Sequence, residues 1–392
     1  MAQKALEAVV VAVTKHLFNF IQLLLITLLL PSTVNAAVLE DDKVEVMYHS
    51  YEGGGMKIDG PAVLIRKKAS ESFAVSAFYY ADTISSASVD VMSTASPYEE
   101  ERDELNLGFE YLNNKTQMTL SLRQSEEDDY LAQSVSFNVS HDTFGDLTTV
   151  QLGISYGDDE VKRNGDDNFI AQTQSYRVRT GISQILTSNL IASFELEAIA
   201  SNGFLNNPYR AVRFIDEESE SGVGYQPEVY PETRNSLAGK LSLRYFLPWR
   251  AAVMVSYRGF KDSWDIQASD YEILFRQPIF TDWEFELKTR HYQQTQAEFY
   301  QDLYPYRNAQ NYLARDKELS EFTDTTIGAS LTYIVPKAYQ PFDWPAEMSV
   351  QWDRIDFDYH NFRDLQQQAP IGEEPLYQFS ADVIRVFASI YF

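Results

Sequence analysis

Cysteine is absent from the 392 residues, acidic residues outnumber basic ones 57 to 32, and no apolar run is long enough for a membrane-spanning helix. The first absence excludes a thiolate metal site, a cysteine nucleophile and a lipidated N-terminal cysteine. The net charge of −25 excludes nucleic acid as the expected partner, because phosphates call for an excess of Lys and Arg. The longest apolar stretch, Leu17 to Leu30, is interrupted by Asn19, Gln22 and Thr27 and stopped by Pro31, short of the roughly 20 residues a spanning helix needs. Lys4 and Lys15 precede it, and the small-residue site Val34-Asn35-Ala36 follows. The segment therefore reads as a signal peptide, residues 1–36, cleaved after Ala36, with an uncleaved anchor as the disfavoured alternative. Residues 37–392 are left as one exported domain.

What the chain holds in quantity is aromatics, 25 Tyr and 24 Phe, although its mean hydropathy is slightly polar at −0.32. From about residue 43 the pattern has period two, the period of a strand, whose successive side chains point to opposite faces. Leu105, Leu107, Phe109 and Tyr111 alternate with Glu104, Asn106, Gly108 and Glu110. Val135, Phe137 and Val139 alternate with Ser136, Asn138 and Ser140, and Trp283, Phe285 and Leu287 with Glu284, Glu286 and Lys288. A soluble sandwich would also alternate. Strand length decides between the two, since many runs reach ten residues or more, which suits a tilted strand crossing a bilayer.

Strands are expected near 43–51, 60–68, 71–81, 99–113, 115–124, 131–141, 147–157, 169–185, 189–201, 233–246, 250–260, 264–276, 281–295, 319–334, 346–359 and 376–392. Alternate connections are tight, and the others include the long stretches 82–98, 158–168, 202–232, 296–318 and 360–375. Short turns on one rim and long loops on the other are the outer-membrane arrangement, with the short turns periplasmic. The fold expected is all-β: a transmembrane antiparallel barrel of about sixteen strands, with fourteen or eighteen also compatible. The last strand, with Ile384, Val386, Ala388, Ile390 and Phe392 in alternation, ends like the signal read by the barrel-assembly machinery, so that machinery and outer-membrane lipid are the expected partners.

Several stretches resemble a family of Gram-negative proteins known as domain of unknown function 3570. They are DGPAVLIRK (59–67), SSASVDV (85–91), ASPYEEER (95–102), FGDLTTV (144–150), GFLNNPYR (203–210), YQPEVYP (225–231), LARDKELS (313–320) and EEPLYQFSADVI (373–384). The resemblance implies an outer-membrane barrel. It implies no activity, because the family supplies no catalytic or ligand residue to carry over.

The polar face carries charges of both signs. Arg123, Arg177, Arg179, Lys240, Arg244, Arg258, Arg276, Lys288, Arg290 and Arg385 share the inward parity with Glu104, Glu110, Glu195, Glu197, Glu272, Glu284 and Glu286. If Leu186-Thr187-Ser188 is a three-residue hairpin loop, Arg179 faces Glu195 and Arg177 faces Glu197. Such ladders ordinarily balance a wet lumen and fix register. The sharper reading is that the basic rows line a pathway and bias which solutes pass.

Sixteen strands leave room for an aqueous channel, so an outer-membrane channel or transporter for a small solute is the expected function. The alternative is a non-conducting barrel acting as a surface scaffold, an adhesin or the membrane partner of a periplasmic complex. Segments 82–98 and 202–232 are long enough to fold inward as a constriction. A rim hydrolase would need His291 or His360 beside a nucleophile, and no nucleophile motif accompanies them. The acidic runs Glu126–Asp129, Asp158–Glu160, Asp166–Asp167 and Asp216–Glu220 read as solvated loop charge, with weak divalent-cation bridging as the alternative. No cofactor, metal site or catalytic residue is expected. Tyr79, Tyr245, Trp249, Trp283, Trp344 and Trp352 are placed in interface girdles. The apolar parity slips between Trp352 and Ile355, which predicts a β-bulge near Asp353-Arg354.

Overall fold

The structure, a computed structural model, describes residues 38–86 and 98–392. The expected signal peptide with its cleavage site, and residues 87–97 of the expected 82–98 constriction, lie outside them. Sixteen strands close into one barrel. In chain order its first half is β1 (Lys43–Gly53), β2 (Met56–Ser70), β3 (Phe73–Ser86), β4 (Tyr98–Asn113), β5 (Thr116–Glu126), β6 (Tyr130–Thr143), β7 (Thr148–Lys162), β8 (Ile170–Thr187) and β9 (Leu190–Gly203). The second half is β12 (Thr233–Phe246), β13 (Ala252–Asp262), β14 (Gln267–Ile279), β15 (Trp283–Gln294), β16 (Phe322–Ile334), β17 (Ala346–Arg363) and β18 (Leu376–Tyr391). Between the halves, β10 (Ala211–Ile215) and β11 (Val223–Pro227) form a separate hairpin inside segment 202–232. Each barrel strand is antiparallel to its neighbours, and β1 pairs with β18 from Lys43↔Tyr391 to Gly53↔Ala381, which leaves no open edge.

The strands run where the period-two pattern places them, and most are longer at their outer ends. The β1–β2 hairpin shows why: Gly54 and Gly55 both take positive φ (60° and 77°), so the ladder continues to Gly53↔Met56. At the opposite rim the turns after β4, β6, β12, β14 and β16 place non-glycine residues at positive φ: Asn114, Phe144, Arg250, Phe280 and Phe342.

Alternation becomes a division between two environments. The outward positions of β4 (Leu105, Leu107, Phe109, Tyr111), β5 (Leu120, Leu122), β12 (Leu237, Leu241, Leu243), β17 (Met348, Val350, Trp352) and β18 (Ile384, Val386) are exposed. An uncovered apolar band of this extent is untenable in water and is what hydrocarbon covers. Tyrosines edge it above, where Tyr48 donates to Asp59 and Tyr79 to Asp103. Trp249, Phe280, Phe342 and Trp344 edge it below, all exposed. Of the largest fully buried side chains, Tyr300, Tyr304, Leu313 and Val212 lie in the outer loops, and Phe362 lies at the outer end of β17.

Two local expectations are corrected. Thr187 pairs with Leu190, and a register shift between Ile185 and Thr187 brings Ile185 opposite Ile191. Arg179 therefore faces Glu197, not Glu195, and Arg177 faces Ile199. The turn is two residues, Ser188-Asn189, instead of three, and Leu186 is an extra unpaired residue on the β8 side. Nor is there a bulge at Asp353-Arg354, because β17 keeps one register with β16 from Phe322↔Tyr359 to Ile334↔Glu347. The apolar parity changes because the surroundings do. Above the band the outward positions turn polar (Arg354, Asp356, Asp358), while Phe357 and Tyr359 face inward and pack with Phe322, Tyr377 and Phe379.

A charge placed on the outward face of the band tests this division. Leu241→Arg should lower the unfolding free energy in lipid vesicles by about 2–4 kcal/mol, whereas a surface change of that kind on a water-soluble sandwich would cost almost nothing. Equilibrium denaturation of the refolded protein provides the measurement.

Candidate functional site

By register, the lumen-charge candidates share the strand face opposite the exposed apolar band. Arg123 stands on β5, Arg177 and Arg179 on β8, Glu195 and Glu197 on β9, and Lys240 and Arg244 on β12. Arg258 stands on β13, Glu284, Glu286, Lys288 and Arg290 on β15, and Arg385 on β18. The wall brings many of them into ion pairs. Arg123 donates to Glu104 at 2.6 Å, and Arg179 donates to Glu197 through Nε (3.1 Å) and Nη2 (2.6 Å). Arg276 reaches Glu286 at 2.8 Å and Glu284 at 3.4 Å. Lys288 (2.7 Å) and Arg385 (3.1 Å) share Asp353, and Arg290 stands between Asp324 (3.3 Å) and Asp270 (3.7 Å). Gly328 makes room for that shared carboxylate: a Cβ there would lie 2.0 Å from an Asp353 oxygen.

These pairs do not fill the interior. The side chains of Arg177, Arg179 and Arg276 are 50%, 54% and 52% exposed although they point inward, so water reaches the middle of the barrel. A polar hollow of about 230 Å³ lies on the inner wall of β4–β8, lined by Asn106, Ser121, Arg123, Ser136, Arg177 and Arg179 among others. A larger groove of about 450 Å³, among Leu105, Leu107, Leu122 and Val135, is mostly on the apolar outward side.

Segment 202–232, which the sequence marks as long enough to fold inward as a constriction, does not stand by itself. It is one part of a folded cap built with the β15–β16 loop and the β17–β18 loop. Tyr230, Trp264 and Phe299 pack ring against ring at 5.3–5.6 Å, and Val212, Phe214, Tyr304 and Leu313 form a second core. Between the loops Arg213, almost wholly buried, forks onto Glu374 at 2.5 and 3.0 Å and also binds Asp302, which Arg315 engages from the other side at 3.0 Å. Burial acts to raise the Glu374 carboxyl, but the Arg213 fork outweighs it and holds the group below the usual range. On the opposite side of the segment, the Tyr209 hydroxyl donates to Asp129 and accepts from the Asn164 backbone N–H at 2.7 Å. The segment therefore ties together loops from β5–β6 round to β17–β18. The cap also reaches the inner wall, where Arg234 lies over Trp264 at 4.5 Å and Arg315 over Phe362 at 4.5 Å.

The histidines considered for catalysis are placed unfavourably. His291 and His360 sit on the outward face, beside Thr325 (3.1 Å) and Glu321 (3.5 Å). The acidic run after β5 is drawn together with β4: Glu100, Glu127 and Asp129 offer oxygens within 4.8 Å of one another. Sequence reasoning missed an inward group, His49–Asp82 at 2.6 Å, with Arg102 on the same carboxylate at 2.7 Å and Tyr80 stacked on the imidazole. Its only signal was the inward parity of His49.

The cap's ionic core should be fragile to single changes. Arg213→Ala leaves Glu374 and Asp302 buried without their main partner, and should destabilise the cap locally by about 3–5 kcal/mol. Limited proteolysis should then cut within 204–232 while the barrel stays resistant to heat and detergent. Glu228 adds a pH dependence. Burial, helped by Asp316, pushes its carboxyl up to about 7, while Tyr230 donates to it at 2.6 Å. A folded-state value above the unfolded one gives stability that is complete below the unfolded value of 4.5 and lost as the pH rises through about 7. Amide exchange in the cap, corrected for intrinsic rates, should accelerate from about pH 5 to about pH 8, and Glu228→Gln should flatten that rise.

Among solved structures, the chain is similar to CdiB from Acinetobacter baumannii (10% identity, TM-score 0.48), covering 89% of this chain and 60% of that one. It is similar to the siderophore receptor PirA from Pseudomonas aeruginosa (8%, TM-score 0.43, 91% and 81%) and to a Pseudomonas aeruginosa FadL homologue (9%, TM-score 0.41, 90% and 90%). No curated protein matches the sequence. The model of the family described as "Protein of unknown function (DUF3570)" matches residues 22–340, and the chain belongs to that family.

Proposed function

We propose that the chain is an outer-membrane channel or transporter that moves a small polar solute through its lumen, under control of the outer cap. The observation that carries this reading is the half-exposed state of inward guanidiniums deep in the wall, Arg177 and Arg179 above all. A barrel filled by its own side chains would bury them, as narrow barrels do. The apolar band supports placement in a bilayer. The cap argues against a wide, unselective pore, because its loops share buried cores and cannot simply part.

The same cap favours a second reading, a non-conducting barrel that presents a folded surface module. The two differ in ion flow. Refolded protein in planar bilayers should show discrete conductance steps, and replacing 204–232 with a short Gly-Ser linker should enlarge them. Absence of conductance above background in both the full chain and the shortened variant would reject the channel and leave the surface-module reading.

A further inference from the structure

We infer that the inner wall of β5–β8 carries a binding site for a small oxyanion, a carboxylate or phosphate group on the transported solute. The inference deepens the channel reading and rests on it for the route by which the solute arrives. Three guanidiniums, Arg123, Arg177 and Arg179, line the same hollow of about 230 Å³. Two carboxylates engage them directly, Glu104 on Arg123 and Glu197 on Arg179. Arg177 is the unsaturated member. Its nearest carboxylate, Glu197, is 3.9 Å away, beyond hydrogen-bonding reach, and its side chain is half-exposed to the lumen. A guanidinium in that state offers a planar fork matched to two oxygens of a carboxylate or phosphate.

The wall between the arginines is made to admit such a group. Ser136 and Ser155 pair directly across β6–β7, and Ser155 pairs with Arg177 across β7–β8. Asn138 and Gly153 form the next pair, and Gly153 in turn faces Arg179. A Cβ at Gly153 would lie 2.4 Å from the Asn138 side-chain oxygen, so the glycine keeps the floor low beside the arginine. Short hydroxyl and amide groups supply further donors without filling the hollow.

The test is binding by the refolded full chain in detergent, measured by titration calorimetry with inorganic phosphate and with succinate in separate arms, at constant chloride. Saturable binding is expected in at least one arm, and Arg177→Gln should weaken it by at least about tenfold. Arg244→Gln, on the inner wall outside the hollow, should leave it unchanged, and heat-modifiable gel mobility verifies that both variants are folded. Binding of phosphate alone assigns a phosphate group, succinate alone a carboxylate, and both the shared oxyanion chemistry. No saturable binding in either arm overturns the site, as does equal affinity in folded Arg177→Gln. Because calorimetry needs no ion flow, conductance without binding removes this site and keeps the channel, while binding without conductance does the reverse.

Discussion

A backbone surrounded by hydrocarbon must pair every N–H and C=O within the protein, and that requirement governs the rest of this molecule. The pairing of β1 with β18 meets it by closing the sheet on itself. Closure with antiparallel neighbours gives both rims their character, tight turns with aromatic tips below and long loops above. It also inverts the usual distribution of apolar surface. Leucines and valines of the wall look outward, and close packing of large buried side chains gathers toward the outer end, in the cap and in the Tyr359–Phe362–Tyr377 cluster of β17 and β18.

The interior is organised by charge instead of grease. Cross-strand pairs such as Arg276–Glu286 and Arg179–Glu197 lie in half-exposed surroundings, where each contributes perhaps 0.2–1 kcal/mol. The cap uses the same chemistry in a dry setting. There Arg213, Glu374, Asp302 and Arg315 are buried, so breaking one pair strands the others. Pairing is loose and half-exposed in the barrel interior and tight and buried in the cap.

The barrel was legible in the sequence because its signal is local. Period-two alternation and turn composition place each strand within a few residues, and parity alone assigns inward residues such as Lys240 and Arg258. What depended on single-residue detail was not legible. The shorter turn at Ser188-Asn189 together with the extra residue Leu186 moved Arg179 by one pair on its face, and nothing in Leu186-Thr187-Ser188 announces either. Along β17 the switch at Trp352 and Ile355 looked like a bulge, because a sequence does not mark where the hydrocarbon ends. The cap was least legible of all. Arg213 and Glu374 are 161 residues apart, and a loop's charged residue meeting a distant partner leaves no periodic trace.

The lack of native cysteine makes the central claim directly measurable, since single cysteines can be introduced along β4 from Glu104 to Tyr111 without a background. In refolded protein in vesicles, fluorophores at Leu105, Leu107 and Phe109 should be quenched by nitroxides on lipid chains, while cysteines at Glu104, Asn106, Gly108 and Glu110 should react with a charged, water-soluble thiol reagent. A strict alternation between the two responses is the predicted result. Equal aqueous reactivity at both sets of positions would show that the apolar stripe does not face lipid, and would contradict the barrel's place in the membrane.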